Sequence, residues 1–278
     1  MNLESEQNLQ LGKKSDYEAH YNPDLLFPIP RAMKRSEIGI AADQVSFWGY
    51  DSWNHYEVSW LNPKGKPMVA MAQVVYDCHS PNIVESKSLK LYFNSLNNSS
   101  FASVSDLEET IKKDLSECVQ ADIMLKINQL GKSPATPIQD AFPGICLDHL
   151  DIECSEYSVN PNFLTTHPEF VEESLYSDLL KSNCLVTFQP DWGSVLIQYK
   201  GPRIDREGLL KYIVSFRNHN EFHEQCIERI FMDLMHQCNP EELSVHGRYT
   251  RRGGLDINPY RSSVKANFPI KDMRLSRQ

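Results

Sequence analysis

A chain of 278 residues with 41% of them apolar (AVILMFWYC) and 23% charged has ordinary globular composition, which excludes a wholly disordered protein and fits one large domain or two modest ones. No window nears the roughly 18 to 20 uncharged apolar residues of a membrane helix, and the opening MNLESEQNLQLGKKS carries acids where a signal peptide has an apolar run, so a cytoplasmic protein without membrane contact is expected. Twenty-eight basic against 37 acidic residues, a net of -9, argue against broad nucleic-acid binding.

Residues 1 to 45, with three prolines between Pro23 and Pro30, read as an extended arm on the surface. Tyr56 to Leu61 and Met68 to Tyr76 are strand-like runs around the turn composition Asn62-Pro63-Lys64-Gly65-Lys66-Pro67, a β-hairpin. Helical spacing follows over 85 to 97 and 105 to 118, the second with Val104, Leu107, Ile111, Leu115 and Cys118 on one stripe. The order recurs later. Cys184 to Phe188 and Ser194 to Tyr199 read as strands around a turn at Gln189-Pro190-Asp191-Trp192-Gly193; a helix is expected from near Asp205. A strongly amphipathic helix follows, with Phe222, Cys226, Ile227, Ile230, Phe231, Leu234 and Met235 on one face and a start between Asn218 and Asn220. An offset of 120 residues matches Leu89 with Leu209, Tyr92 with Tyr212, Ser95 with Ser215 and Asn98 with Asn218. Two copies of one α+β unit are therefore expected: residues 46–125, a connecting segment 126–165, and residues 166–278.

Seven cysteines, an odd number with no CxxC, point to reduced thiols. Neither GxGxxG nor GxxxxGK[ST] occurs, so a Rossmann domain and a P-loop are not expected. Phe222-His223-Glu224-Gln225-Cys226-Ile227 lacks the second histidine of HExxH; His219, His223 and Cys226 remain as a partial zinc set, weakened if His219 precedes the helix. His223-Glu224 reads either as a solvent-facing first turn or as an imidazole and carboxylate presented together to the edge of a planar heterocycle. Cys184, with Lys181 near enough to favour a thiolate, and Asp191, a carboxyl beside Pro190 and Trp192, form a candidate nucleophile and general acid in one hairpin. From Val245 to Gln278 eight basic residues face two acidic ones, a net of +6; there Arg251-Arg252-Gly253-Gly254 suits phosphate recognition or is a basic turn without a ligand. Glu85-Ser86-Lys87-Ser88 passes alone as an exposed helix start with Ser86 as cap.

Together these segments resemble one family. Glu85-Ser86-Lys87-Ser88-Leu89-Lys90-Leu91-Tyr92, Ser182-Asn183-Cys184 with Gln189-Pro190-Asp191-Trp192-Gly193, Ser215-Phe216-Arg217 with Glu221-Phe222-His223-Glu224, and Arg248 through Pro259 look like the signatures of the NADPH-dependent 7-cyano-7-deazaguanine reductases, the nitrile reductases of queuosine biosynthesis, in their long two-domain bacterial form. The resemblance implies a tunnelling fold of ferredoxin-like ββαα units with antiparallel sheets. It assigns Cys184 as the nucleophile that forms a thioimidate and Asp191 as proton donor. His223, Glu224, Val84, Glu85 and Ser86 become substrate contacts; Ser86, Lys87, Arg252 and Gly253 become NADPH contacts; no metal is needed. It further implies a homodimer and no direct contact with nucleic acid. Two alternatives stand beside it: a zinc-dependent purine or pterin hydrolase resembling a GTP cyclohydrolase, and a non-catalytic deazapurine-binding protein.

Overall fold

The computed structural model describes residues 17–41, 45–131, 137–265 and 273–278. The chain divides into two compact units, the first made of Met1–Lys34, Ser52–Ala135 and Arg251–Asp256, the second of Arg35–Asp51, Thr136–Thr250 and Ile257–Gln278.

The first unit holds β1 (Pro28–Pro30), most of β2 (Trp48–Leu61), β3 (Pro67–Asp77), β4 (Asn82–Val84), α1 (Ser86–Ser95), α2 (Val104–Val119) and β5 (Ile123–Gln129). The expected hairpin forms between β2 and β3, its turn closed by the Asn62 N–H donating to Lys66 O at 2.9 Å. β5 pairs antiparallel with the other edge of β3. Leu107, Ile111 and Leu115 of the expected stripe are buried in α2, whereas Val104 and Cys118 are only half-buried and Val119 is buried in their stead.

The second unit holds β6 (Ile138–Gln139), β7 (Ile145–Cys146), β8 (Thr166–Asn183), β9 (Pro190–Ile204), α3 (Arg206–Ser215), α4 (His223–Cys238), β10 (Glu242–Tyr249), most of β11 (Leu255–Ser262) and β12 (Arg274–Leu275). The strands run in the order β11-β10-β9-β8-β7; β8 to β11 pair antiparallel with one another, and the two-residue β7 joins the edge of β8 in parallel. The protein is thus α+β with antiparallel sheets.

One expectation is corrected here. Cys184 to Phe188 is not a strand: β8 ends at Asn183, and the chain turns over 184–189 before β9 begins at Pro190. Cys184 N–H donates to Gln189 O at 2.9 Å, Phe188 N–H to Cys184 O at 3.1 Å, and Phe188 takes a left-handed φ of 56°. The β-branched run inside Leu185-Val186-Thr187 imitates a strand, but it is the loop of the hairpin.

The duplication goes deeper than the four matched residues. α1 and α3 each span 10 residues, and α2 and α4 each span 16. In each unit a buried tyrosine of the first helix donates to an aspartate of the second, Tyr92 to Asp114 and Tyr212 to Asp233, both at 2.6 Å. Each first helix ends with a serine hydroxyl donating back to that tyrosine's carbonyl, and each second helix ends in a left-handed residue, Gln120 or Asn239. The arm and the connecting segment hold a matched piece as well. Asn22-Pro23 and Asn160-Pro161 both open a single 3-10 turn whose asparagine N–H donates to the serine that ends the first helix, Ser95 or Ser215.

The basic C-terminal segment does not offer all its arginines to a ligand. Arg261 is fully buried in the second unit, with Nη1 2.9 Å from Asp51 and Nη2 2.8 Å from Glu228 of α4; Arg35 reaches the same Glu228 at 2.7 Å. Phe47 lies under both guanidinium groups. Arg248 is also buried. Two buried cations and two buried carboxylates neutralise one another, so deleting one partner leaves an uncompensated charge. Arg261→Met should therefore lower the unfolding free energy by about 3 to 5 kcal/mol, whereas Arg203→Met, which breaks the exposed pair with Glu169, should cost less than about 1 kcal/mol. Urea denaturation followed by circular dichroism distinguishes the two; equal losses would contradict this account of the network.

Candidate active site

Four of the expected residues come together in the second unit. Asp191 pairs across the hairpin with Ser182, and Asn183 with Pro190, so Cys184 and Asp191 flank the mouth of one hairpin. Asn183, the last residue of β8, forms a parallel bridge with Asn220: its N–H donates to His219 O at 2.8 Å and its carbonyl accepts the Glu221 N–H at 3.1 Å. The chain enters α4 two residues later, which brings His223 and Glu224 to the hairpin. His223 Nε2 lies 3.6 Å from Asp191 Oδ1.

α4 starts at His223, later than expected, with Phe222 at its N-cap and no side-chain cap. The solvent-facing alternative for the first turn fails: Glu224 is 1% exposed. Tyr249 of β10 sets its ring edge-on to the His223 imidazole, centroids 4.1 Å apart at 85°. It can approach because residue 193 is glycine; a Cβ there would stand 3.1 Å from the Tyr249 ring. Burial first, then the neighbouring Cys226, Asp191 and Glu224, holds the Tyr249 hydroxyl far above its ordinary range, so it stays protonated. The Cys226 thiol is pushed up to about 12 by burial, which makes it a neutral core thiol.

Cys184 and Asp191 are both buried, at 8% and 2% exposure. Lys181 is bonded to its neighbours on the approach to α4. Its ammonium donates to Asn183 Oδ1 and to Arg217 O, both at 2.6 Å, because the β8 register aims it at the segment before α4. Glu221, to which no sequence argument gave a role, is a buried carboxylate with several partners near the site. It is 2% exposed and accepts from His219 Nε2 at 2.8 Å and from Arg229 Nε and Nη2, both at 3.1 Å. The Glu221/Arg229 spacing of eight, two helical turns, is the signal that a sequence search could have used. His219, outside the helix as foreseen, thus turns Nε2 to Glu221. Among the described residues the grouping of three metal-type ligands close enough to share an ion is Asp77, Cys78 and His79, in the first unit.

The remaining expected residues belong to the first unit. Val84 ends β4, paired with Pro28 of β1. Glu85, not Ser86, caps α1: it is fully buried and accepts the N–H groups of Lys87 at 2.9 Å and Ser88 at 2.7 Å. Burial raises its carboxyl above the usual range, opposed by those two N–H groups and by Lys90 and Lys87. Arg252 N–H donates to Leu255 O at 2.9 Å around the exposed, left-handed Gly253, φ 57°. A Cβ at Gly253 would stand 3.5 Å from the Lys90 ammonium, and Arg251 lies over the Tyr56 ring at 4.3 Å. Ser86, Lys87, Lys90, Arg251 and Arg252 are a donor set suited to phosphate groups.

His219 and Arg229 hold the Glu221 carboxyl below its ordinary range despite burial. Its bonds then stabilise the fold above the unfolded-state value near 4.3, and that stability is lost as pH falls through the lower folded value. In Glu221→Gln this contribution is absent, so the gap in unfolding free energy between wild type and variant should narrow as pH drops below about 4.3. Denaturation midpoints at several pH values measure it; a gap that widens toward acid would refute the assignment.

Residues 17–127 match the family model described as "Nitrile reductase, 7-cyano-7-deazaguanine-reductase N-term", and residues 190–267 match "QueF-like protein". A protein of Legionella pneumophila (strain Lens) named NADPH-dependent 7-cyano-7-deazaguanine reductase is 63% identical over 269 residues, 97% of this chain and 94% of its own. A protein of the same name from Dechloromonas aromatica (strain RCB) is 57% identical over 254 residues, 91% of this chain and 89% of its own. A solved structure, the archaeosine synthase QueF-Like in the apo form, aligns with 36% of this chain and 98% of its own at 18% identity and a TM-score of 0.31.

Proposed function

The chain belongs to the family of NADPH-dependent 7-cyano-7-deazaguanine reductases, and from that premise we propose that it reduces the nitrile of 7-cyano-7-deazaguanine to the amine of 7-aminomethyl-7-deazaguanine, in queuosine biosynthesis, through a covalent adduct on Cys184. The observation that carries the proposal is the main-chain tie at Asn183, which joins the hairpin mouth bearing Cys184 and Asp191 to the helix start bearing His223 and Glu224.

A nitrile is a poor hydride acceptor, and the residues at hand supply the remedy. As the Cys184 S–H proton passes to the Asp191–His223 pair, the sulfur bonds to the nitrile carbon, one C≡N π bond opens and the nitrogen takes a proton from the same pair, giving a thioimidate. Asp191 delivers that proton; with His223 Nε2 3.6 Å from its Oδ1, the two groups can share it. Glu224 accepts hydrogen bonds from the ring edge. A buried carboxylate of this kind rejects heterocycles without the matching N–H donors, because they would leave it desolvated and unpaired. Ser86, Lys87, Arg252 and Gly253, which fit phosphate and close backbone approach, would hold NADPH, whose chemistry when bound is to supply hydride. Val84, Glu85 and Ser86 are assigned to the substrate on the family resemblance. The zinc hydrolase finds no support here, because His219 lies before α4 and is turned to Glu221.

Among the described residues no helix is long and apolar enough to cross a membrane, and all seven cysteines are free. Cytoplasmic residence and a homodimer are parts of the same proposal.

Incubation with 7-cyano-7-deazaguanine in the absence of NADPH should add the mass of one whole substrate to the protein, and Cys184→Ala should gain nothing; unmodified wild type would overturn the proposal. Glu224→Gln should raise the substrate KM by about 10- to 100-fold, the value of a hydrogen bond to a buried charge. The NADPH KM should stay nearly constant, and steady-state kinetics with parallel losses for both would remove Glu224 from the ring edge.

A further inference from the structure

We propose that Glu221 is a positioning residue for this site: its buried carboxylate locks the first turn of α4, and with it His223 and Glu224, against the Cys184 hairpin. The inference rests on the reading of Cys184, His223 and Glu224 given above.

The argument uses the first unit as an internal control. There, Leu61 at the end of β2 forms the same parallel bridge with the segment before the second helix: its N–H donates to Ser99 O at 2.9 Å, and its carbonyl accepts the Phe101 N–H at 3.0 Å. Leu61 thus occupies the place of Asn183, Ser99 that of His219 and Phe101 that of Glu221. α2 then starts with Ser103 as a side-chain cap, accepting the Asp106 N–H at 3.1 Å. The main-chain bridge therefore forms without any carboxylate, and a helix at this place can be capped by the usual means. In the second unit the cap position is Phe222, whose carbonyl accepts the Cys226 N–H at 2.9 Å but whose side chain caps nothing, and the first turn is His223-Glu224. A serine or aspartate cap would hold that turn to itself. Glu221 instead holds it from outside, gripping Arg229 two turns along α4 with a bidentate fork while its own N–H is fixed to Asn183. His219 closes the third side at 2.8 Å. The carboxylate appears only in the copy that carries the nucleophile, so its burial answers to the site and not to the fold.

Glu221→Gln should form the Cys184 adduct about 10- to 100-fold more slowly in a single turnover without NADPH, the penalty of displacing bound substrate by about 1 Å. Its NADPH dissociation constant should stay within about 2-fold and its circular dichroism unchanged, a split that general destabilisation does not produce. Arg229→Gln should show the same defect, and the double variant should be no slower than either single one, because both break one clamp. An adduct rate within about 2-fold of wild type in folded Glu221→Gln would overturn the inference alone. If that variant does not fold, Arg229→Lys, which keeps the charge and loses the fork, is read against the same thresholds. Wild-type protein that forms no adduct would overturn the Cys184 reading and this inference with it.

Discussion

A strand that ends where a helix is about to begin must dispose of one free N–H and one free carbonyl, and in both copies of this duplicated fold the segment before the second helix takes them. This parallel bridge is the constraint from which the site follows. In the second unit it fixes Asn183, so the next residue, Cys184, opens the hairpin loop at a set point, and the residues after Asn220 enter α4 beside that loop. Asp191 is then placed by strand register, opposite Ser182. Cys184, Asp191, His223 and Glu224 are thus carried on backbone tied together at Asn183, without a long flexible connection.

The two units differ at the positions of the proposed site. Asn62 opens the turn of the first hairpin with an N–H to Lys66 O, and Cys184 opens the second with an N–H to Gln189 O. A regular capped helix in one copy is matched by an uncapped one in the other, whose first turn buries Glu224 and is flanked by buried Glu221. Burying acids in this way is unfavourable unless each is bonded. Arg229 and His219 provide the bonds for Glu221, while Arg35 and Arg261 neutralise Glu228 one turn beyond Glu224. The ion network thus anchors the same helix that carries the imidazole and carboxylate, and stability is recovered at a distance from the chemistry.

Much of this was legible in the sequence. Apolar spacing located α1 and α2 to within a few residues, and the 120-residue offset found a duplication that the matched tyrosine-aspartate and serine-carbonyl bonds make concrete. The motifs singled out Cys184, Asp191, His223 and Glu224 as one set. What escaped has physical causes. Leu185-Val186-Thr187 has strand composition but sits in a loop, since pairing partners and not propensity decide where a strand ends. Net charge over a segment cannot tell a solvated arginine from one buried against two acids, as Arg261 is. Glu85 was passed over as a cap because glutamate is an uncommon choice there. Glu221 was hidden because its partners lie two residues before it and eight after it, a pattern that gains meaning only once the helix start is known.

A crystal structure of the wild-type protein after exposure to 7-cyano-7-deazaguanine alone tests the central claim most directly. The account predicts continuous density from the Cys184 sulfur to the former nitrile carbon, with Asp191 next to the new C=N nitrogen and with His223 and Glu224 on the ring. Substrate bound elsewhere, or seated on His223 and Glu224 with the Cys184 sulfur turned away and unmodified, would contradict it.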